Sequence, residues 1–141
     1  MRRILVGTNI ILDLLAKREK FFLDSKRIFA LADNKKIELF ISTLSIANAY
    51  YILHETLKIS NAKEILGKFK VLVKSIDLTD KIVELALNDS TFKDFEDGIQ
   101  YYSALESKCN LIITRNSKDF KNSILPIMKP NEYLSQRNAG K

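Results

Sequence analysis

Three aspartates in the last third of the chain could together bind a metal ion. Asp94 and Asp97 stand three residues apart at the start of an amphipathic segment, so their side chains share one face of a predicted helix. Asp119 follows a short apolar run, and the end of that run adds Thr114 and Asn116 as oxygen donors. Mg²⁺ and Mn²⁺ prefer oxygen ligands and usually keep several waters. A bound ion of this kind can activate water and stabilise charge on a phosphodiester during its cleavage.

The spacing of Asp94 and Asp97 has a second interpretation. Asp is a common N-cap, and negative charge in a first helical turn is favourable next to the helix dipole. A capped, charged helix start therefore explains an isolated Asp-x-x-Asp pair without a metal. Asp119, Thr114 and Asn116 favour the metal site, because they bring further oxygens to the same edge of a sheet.

The elements that must position these residues alternate between strands and helices. The apolar pattern predicts strands at residues 3–6, 37–41, 75–78, 111–114 and 124–128. Helices are predicted from Gly7-Thr8-Asn9 onward, over 21–33, from Ser42 or Thr43 to about Leu57, and over 61–73, 81–88 and 94–108. Parallel strands need crossover connections, which helices supply. The predicted fold is therefore α/β, with three layers and a central parallel sheet of about five strands.

The expected functional crevice lies beyond the carboxyl ends of these strands. Gly7-Thr8-Asn9 follows the first strand, and Thr114-Arg115-Asn116 follows the fourth. We therefore expect the two segments to lie near each other.

Length and composition describe one domain. The 141 residues suit a domain at 1–135 and a flexible tail at 136–141. No apolar run approaches the roughly 18 residues that cross a bilayer, and Asp13 interrupts an N-terminal stretch that otherwise looks like a signal peptide. The single cysteine, Cys109, cannot form an internal disulfide. We expect a cytoplasmic protein with no membrane association.

Other chemistries find little support in the sequence. His54 is the only histidine, and no second histidine or cysteine is arranged with it for zinc. The chain has neither a glycine-rich phosphate loop nor a Gly-x-Ser-x-Gly elbow. A phospho-acceptor domain also fits poorly, because the late strand ends in Thr114-Arg115-Asn116 rather than in an acceptor aspartate. The net charge of +6 favours polyanionic partners, although a solvated lysine-rich surface would give the same value.

The ordered set of motifs resembles the PIN-domain family. The opening ILVGTNIILDLL resembles the strand that runs, in this family, into Asp-Thr-Asn and an apolar helix. Later segments resemble the family in the same order: ISTLSIANAYYIL, DFEDGIQYYSA, NLIITRNSKDF and IMKPNEYL. The resemblance covers nearly the whole chain and points to small prokaryotic PIN proteins, including VapC-type toxins of toxin-antitoxin pairs.

This resemblance implies a Rossmann-like sheet and an endoribonuclease that depends on Mg²⁺ or Mn²⁺. It also implies a homodimer that a cognate antitoxin holds inactive. The carboxylate of the third motif would be Asp97, with Asp94 beside it, and that of the fourth motif would be Asp119. These three aspartates would hold the metal.

The resemblance assigns roles to further residues around that metal. Asn9 would brace the site through hydrogen bonds, while Thr114 and Asn116 would line it. Basic residues at its mouth could follow an RNA backbone, and the candidates are Arg115, Lys17 and Arg18. Ordinary surface charge is an equally good explanation for each of these when taken alone.

Two positions depart from the family pattern. Gly7 stands where the family has its first aspartate, and Asn48 stands where most members have a glutamate in the third helix. Asn48 still offers an amide oxygen but carries no charge. Gly7 offers no side-chain ligand, and a glycine at a strand-to-helix turn could instead relieve backbone strain.

These departures leave two hypotheses. The first is a PIN ribonuclease that Gly7 has weakened or inactivated, whether Gly7 is natural or an inactivating substitution in a toxic protein. The second is a non-catalytic PIN-fold module that binds RNA or another protein. Under either hypothesis, we expect this chain to bind metal weakly or not at all and to cut RNA poorly or not at all.

Overall fold

The computed structural model describes residues 1–139 and contains one sheet of five parallel strands. The strands are β1 (Arg3–Val6), β2 (Glu38–Ser42), β3 (Lys74–Ile76), β4 (Leu111–Ile113) and β5 (Ile127–Met128). Their order is β3-β2-β1-β4-β5, so the first strand lies in the middle. The chain adds β2 and β3 on one side of β1 and then returns to add β4 and β5 on the other side. This confirms the predicted α/β fold and its parallel sheet of five strands.

Seven α-helices surround the sheet within the described residues. They are α1 (Thr8–Leu15), α2 (Phe22–Asp33), α3 (Thr43–Tyr51), α4 (Ala62–Phe69), α5 (Asp80–Leu87), α6 (Phe95–Glu106) and α7 (Pro130–Ala139). A π-helical turn, Ile52–Thr56, continues α3, and a 3₁₀ turn, Lys70–Leu72, continues α4. The helices therefore follow the predicted ones closely as far as residue 108.

Alternate residues of β1 point into two different cores. Ile4 and Val6 pack with residues of α1, α2, α4 and α7, whereas Leu5 packs with residues of α5 and α6. All three side chains are fully buried, and burial of each contributes about 1.5–3 kcal/mol. The strand reads as an unbroken apolar run because helices cover both faces of a parallel sheet.

The C-terminal end of the chain differs most from the predictions. The expected strand at 124–128 is reduced to Ile127–Met128, and helix α7, which the sequence analysis did not predict, follows directly. Pro130 opens this helix, a favourable position for proline, and Glu132 Oε1 accepts a hydrogen bond from Lys129 N at 2.8 Å. The expected tail at 136–141 is helical as far as Ala139, and residues 140–141 lie outside the described part of the chain.

Two expectations about single features can also be compared with the structure. Cys109 is buried and unpaired with another cysteine, and its burial raises the pKa of the thiol to about 11. The thiol therefore stays protonated and packs as a small apolar group. None of the helices within residues 1–139 has the length and apolar character needed to cross a membrane.

Candidate functional site

The ends of β1 and β4 bring together the two segments that the sequence analysis placed at one crevice. Val6 and Ile113 are paired in register, and Gly7 N donates a hydrogen bond to Ile113 O at 3.3 Å. Gly7-Thr8-Asn9 and Thr114-Arg115-Asn116 therefore leave the sheet side by side. The predicted proximity of these segments is confirmed.

A cavity of about 400 Å³, which we call the main cavity, opens where these segments leave the sheet. Most of the site residues predicted from the sequence line it: Gly7, Asn9, Asn48, Asp94, Asp97, Thr114 and Asn116. Two strand ends, those of β1 and β4, thus share one space with α3 and the N-terminus of α6, as is usual at the switch point of a parallel sheet.

A second cavity of about 350 Å³ adjoins the main cavity and contains Asp119. Asp94 and Asp97 line both cavities and so form a shared wall. The other side chains of the second cavity include Lys93, Lys118 and Lys121 together with Thr91 and Asn122. We call this second space the lysine cleft. The structure therefore brings Asp119 close to the other two aspartates but not into the main cavity.

Asp94 caps helix α6. Its Oδ1 atom accepts a hydrogen bond from Glu96 N at 3.0 Å, and its backbone is extended, as an N-cap requires. The alternative interpretation of the Asp-x-x-Asp spacing is thus correct for Asp94. The same carboxylate is exposed and faces both cavities, so capping does not remove it from the site.

Asp97 carries the strongest electrostatic perturbation of the site. Its partial burial, and then the negative charges of Asp94, Asp119 and Glu96, raise the pKa of the carboxyl to about 7. In the described part of the chain, no lysine, arginine or histidine forms an ion pair with any of these four acids. The site therefore has an excess of negative charge that a cation would relieve.

Glu96 belongs to the site although sequence reasoning did not select it. Its Oε1 atom lies 2.8 Å from Thr8 Oγ1, which in turn lies 2.9 Å from Ser45 Oγ. Because a hydroxyl has one proton, Thr8 donates to the carboxylate and accepts from Ser45. This chain of contacts fixes Glu96 against the start of α1. Its position between two aspartates in the first turn of α6 was the available signal.

Gly7 is not needed for its backbone conformation. Its φ of −80° and ψ of 168° are extended values that any residue adopts, so relief of backbone strain does not explain the glycine. A Cβ atom at this position would lie 3.2 Å from Gln100 Oε1. The amide end of Gln100 would have to move by a few tenths of an ångström to admit a larger side chain. Gln100, three residues after Asp97 on α6, is a second site residue that sequence reasoning missed.

The oxygen ligands of the site are of the kind that a hard divalent ion prefers, but the site has too few carboxylates. Its atoms are carboxylate, amide and hydroxyl oxygens, and its acids lack cationic partners, which fits Mg²⁺ or Mn²⁺. Across residues 1–139, however, no group of three or more His, Cys, Asp or Glu side chains lies close enough together to hold an ion. Gly7 and Asn48 line the main cavity at the two positions where carboxylates would complete such a group.

Two of the three predicted RNA-binding residues, Arg18 and Arg115, form ion pairs with the buried carboxylate of Asp13. Asp13, fully buried in α1, lies 3.0 Å from Arg115 Nε and 3.5 Å from Arg18 Nη1. The guanidinium of Arg115 also stacks on the ring of Phe21, 4.0 Å from its centroid. Lys17, the third candidate, is exposed. The pKa of Asp13 is raised, mainly by burial, and the two arginines oppose that rise.

Arg18 links this buried acid to the main cavity. Its Nη1 atom donates a hydrogen bond to Asn9 Oδ1 at 3.2 Å. This contact orients the Asn9 amide, and the bracing role of Asn9 stays a prediction. Asp13 gave no sequence signal beyond its interruption of an apolar run.

Known proteins resemble this chain in sequence and in structure. Ribonuclease VapC1 from Aquifex aeolicus is 27% identical over 140 residues, which cover 97% of this chain and 96% of the relative. A toxin-antitoxin complex from Klebsiella pneumoniae has a TM-score of 0.68 at 22% identity. VapBC2 from Rickettsia felis, solved with a DNA fragment from its promoter, has a TM-score of 0.67 at 20% identity. Both structural matches cover 90% of this chain and 97% of the other chain.

The family itself is shown by a match over most of the chain, and it confirms the resemblance drawn from the motifs. Residues 3–118 match the family model of the PIN domain. This range contains both strand ends of the main cavity and all of α6. The chain belongs to the PIN-domain family.

Proposed function

We propose that this protein is a metal-dependent endoribonuclease of the PIN family and the toxin of a toxin-antitoxin pair, weakened by the absence of an acid at position 7. The observation that carries the proposal is Asp97, whose pKa three neighbouring carboxylates help to raise in a cavity without a cationic partner. Perturbed acids that face a cavity are typical of functional sites. The similarity to a ribonuclease over nearly the full chain supports the same conclusion.

The residues of the main cavity divide the work as follows. Asp97 and Asp94, with Asp119 from the lysine cleft, would hold Mg²⁺ or Mn²⁺. When bound, such an ion lowers the pKa of a coordinated water and offsets charge on the phosphoryl oxygens. Asn9, fixed by Arg18, and Thr114 would orient the phosphodiester. Thr114 Oγ1 also accepts from Asn116 N at 3.2 Å, which holds the loop after β4 in place.

The low ribonuclease activity that we propose has its cause in two missing carboxylates. Gly7 and Asn48 leave the main cavity without two carboxylates that the family pattern would supply, so an ion would meet fewer charged ligands. Fewer charged ligands lower the affinity of a site for a hard cation. We therefore propose that Mg²⁺ and Mn²⁺ bind weakly and that cleavage is slow.

Calorimetric titration with Mn²⁺ tests this proposal. The Gly7→Asp variant should bind Mn²⁺ at a specific site at least tenfold more tightly than the unaltered chain, and adding Asp97→Asn to it should abolish that site. Gly7→Ala is the matched control, because it meets the same contact with Gln100 but adds no carboxylate. Equal and weak binding in all of these proteins would reject a metal-dependent enzyme.

The same result would favour the second candidate, a non-catalytic module that keeps the PIN fold and binds RNA or protein. The observation in its favour is that, within residues 1–139, no three His, Cys, Asp or Glu side chains lie close enough together to hold a metal ion. A small antitoxin partner, a homodimeric assembly and a cytoplasmic location are further parts of our proposal. The similarity to a toxin-antitoxin complex supports the antitoxin, and light scattering after size-exclusion chromatography would measure the assembly.

A further inference from the structure

The lysine cleft places three lysines beside the three aspartates of the site. We propose that Lys93, Lys118 and Lys121 bind the phosphate backbone of single-stranded RNA and guide the strand to the main cavity. The inference rests on the proposed function, and it adds a substrate-binding surface that differs from the one predicted from the sequence.

The three lysines are available for a ligand. All three are exposed, and none forms an ion pair with any residue in the range 1–139. They nevertheless line one cleft with Asp94, Asp97 and Asp119. Their ammonium groups therefore reduce the repulsion that these acids would exert on an approaching phosphate.

The arginines beside the main cavity are less available. Arg18 and Arg115 both lie within 3.5 Å of Asp13, and the side chain of Arg115 is only 23% exposed. Moving either arginine onto a phosphate would leave Asp13 as a buried carboxylate with one partner fewer, which is costly. RNA contacts should therefore depend more on the lysine cleft than on these two residues.

The shared wall of the two cavities gives the lysines a defined relation to the reaction. Because Asp94 and Asp97 line both spaces, a phosphate held in the lysine cleft lies beside the acids of the main cavity. In the proposed binding mode, the next phosphodiester of the strand would enter the main cavity beside Asp97. The amide of Asn122 adds a neutral donor to the cleft, whereas the hydroxyl of Thr91 already donates to Asp89 Oδ1 at 2.5 Å.

A matched pair of triple variants tests the inference. The cleft variant carries Lys93→Gln, Lys118→Gln and Lys121→Gln. The control carries Lys36→Gln, Lys63→Gln and Lys70→Gln, which remove the same charge from exposed lysines that line neither cavity. Fluorescence anisotropy would measure the binding of a short labelled single-stranded RNA in EDTA, where metal-dependent cleavage is absent, over a series of salt concentrations. Thermal unfolding would verify that both variants are folded.

The cleft variant should bind RNA about tenfold more weakly than the unaltered chain, and the control should change binding less than about twofold. Each phosphate contact on a single strand contributes about 0.7 to the slope of log affinity against log salt, so the cleft variant should lose about 2 from that slope. Equal weakening in both variants would overturn the inference and leave the proposed function intact. An unaltered chain that binds no RNA at low salt would instead contradict the proposed function itself.

Discussion

Asp13 Oδ2 lies 3.0 Å from Arg115 Nε, although the two residues are separated by most of the chain. Asp13 comes from the buried face of α1, and Arg115 comes from the loop after β4, so the ion pair ties together the two segments that flank the main cavity. Arg18 extends the connection to Asn9. A buried ion pair outside the main cavity thus connects the segments that carry residues of the site.

Replacing Arg115 should destabilise the fold. Arg115→Gln leaves Asp13 as a fully buried carboxylate that only Arg18 faces, and removal of one partner from a buried pair costs about 3–5 kcal/mol. Because Arg18 stays beside Asp13, we expect the free energy of unfolding to fall by less, about 1–3 kcal/mol. Urea denaturation followed by circular dichroism would measure it.

The control for this prediction is Arg27→Gln. Asp24 also pairs with an arginine, Arg27, but at 4.0 Å and with both side chains more than one-third exposed. Pairs of this kind contribute about 0–1 kcal/mol. If Arg115→Gln is no more destabilising than Arg27→Gln, the buried pair does not hold the site together.

The pH dependence of stability should report on Asp97. Its pKa is higher in the folded protein, about 7, than the ordinary 3.8, so the folded state binds this proton more tightly. The resulting stabilisation is fully present below pH 4 and is lost as the pH rises through 7. The difference between 3.8 and about 7 corresponds to at most about 4 kcal/mol.

The comparison that isolates this group is Asp97→Asn, measured in EDTA by urea denaturation between pH 4 and pH 9. The variant cannot develop the unfavourable charge, so it should become progressively more stable than the unaltered chain as the pH rises. Asp33→Asn, at the exposed end of α2, controls for the loss of one negative charge. A difference in stability between the Asp97 variant and the unaltered chain that stays constant with pH would argue against the raised pKa.

The sequence predicted the residues of the site more fully than the contacts that hold them. Asp94, Asp97 and Thr114 could be placed together because strand ends and helix starts meet at one edge of a parallel sheet. The pairing of Asp13 with Arg115 could not be predicted, since the sequence alone does not show which distant side chains meet in a core. In the same way, only the backbone angles show that Gly7 is not required by its turn.

Helix α7 was missed for a different reason. Its segment has few apolar residues, so helical periodicity is weak, and Pro130 suggested the end of an element rather than the start of one. Tyr133 alone is deeply buried among the nonproline residues of the helix. The better signals were proline at the first helical position and Glu132 two residues later, which bonds back to Lys129 N.

Asn48→Glu should raise the affinity for Mn²⁺, because, like Gly7→Asp, it adds a carboxylate to the main cavity. Asn48 lines the main cavity, and a glutamate there adds negative charge beside Asp97. We expect Asn48→Glu to lower the melting temperature in EDTA, because like charges repel, and Mn²⁺ to reverse this loss. Differential scanning fluorimetry would measure both effects. Asn34→Glu, an exposed change at the end of α2, should show no response to Mn²⁺.

We expect the double variant to show the larger stabilisation by Mn²⁺. Gly7→Asp with Asn48→Glu should respond to Mn²⁺ with a greater rise in melting temperature than either single variant. A combined response equal to that of the weaker single variant would mean that the two positions do not serve one ion.

The cleavage of single-stranded RNA by the Gly7→Asp variant in the presence of Mn²⁺ is the most direct test of the proposed function. Gel electrophoresis of an end-labelled RNA would follow the reaction, with Gly7→Ala and the Gly7→Asp, Asp97→Asn double variant run alongside. We predict that Gly7→Asp cuts the RNA at least tenfold faster than the unaltered chain, that EDTA stops the reaction, and that neither comparison variant reproduces it. An unchanged rate in the Gly7→Asp variant, despite native folding, would contradict a metal-dependent ribonuclease.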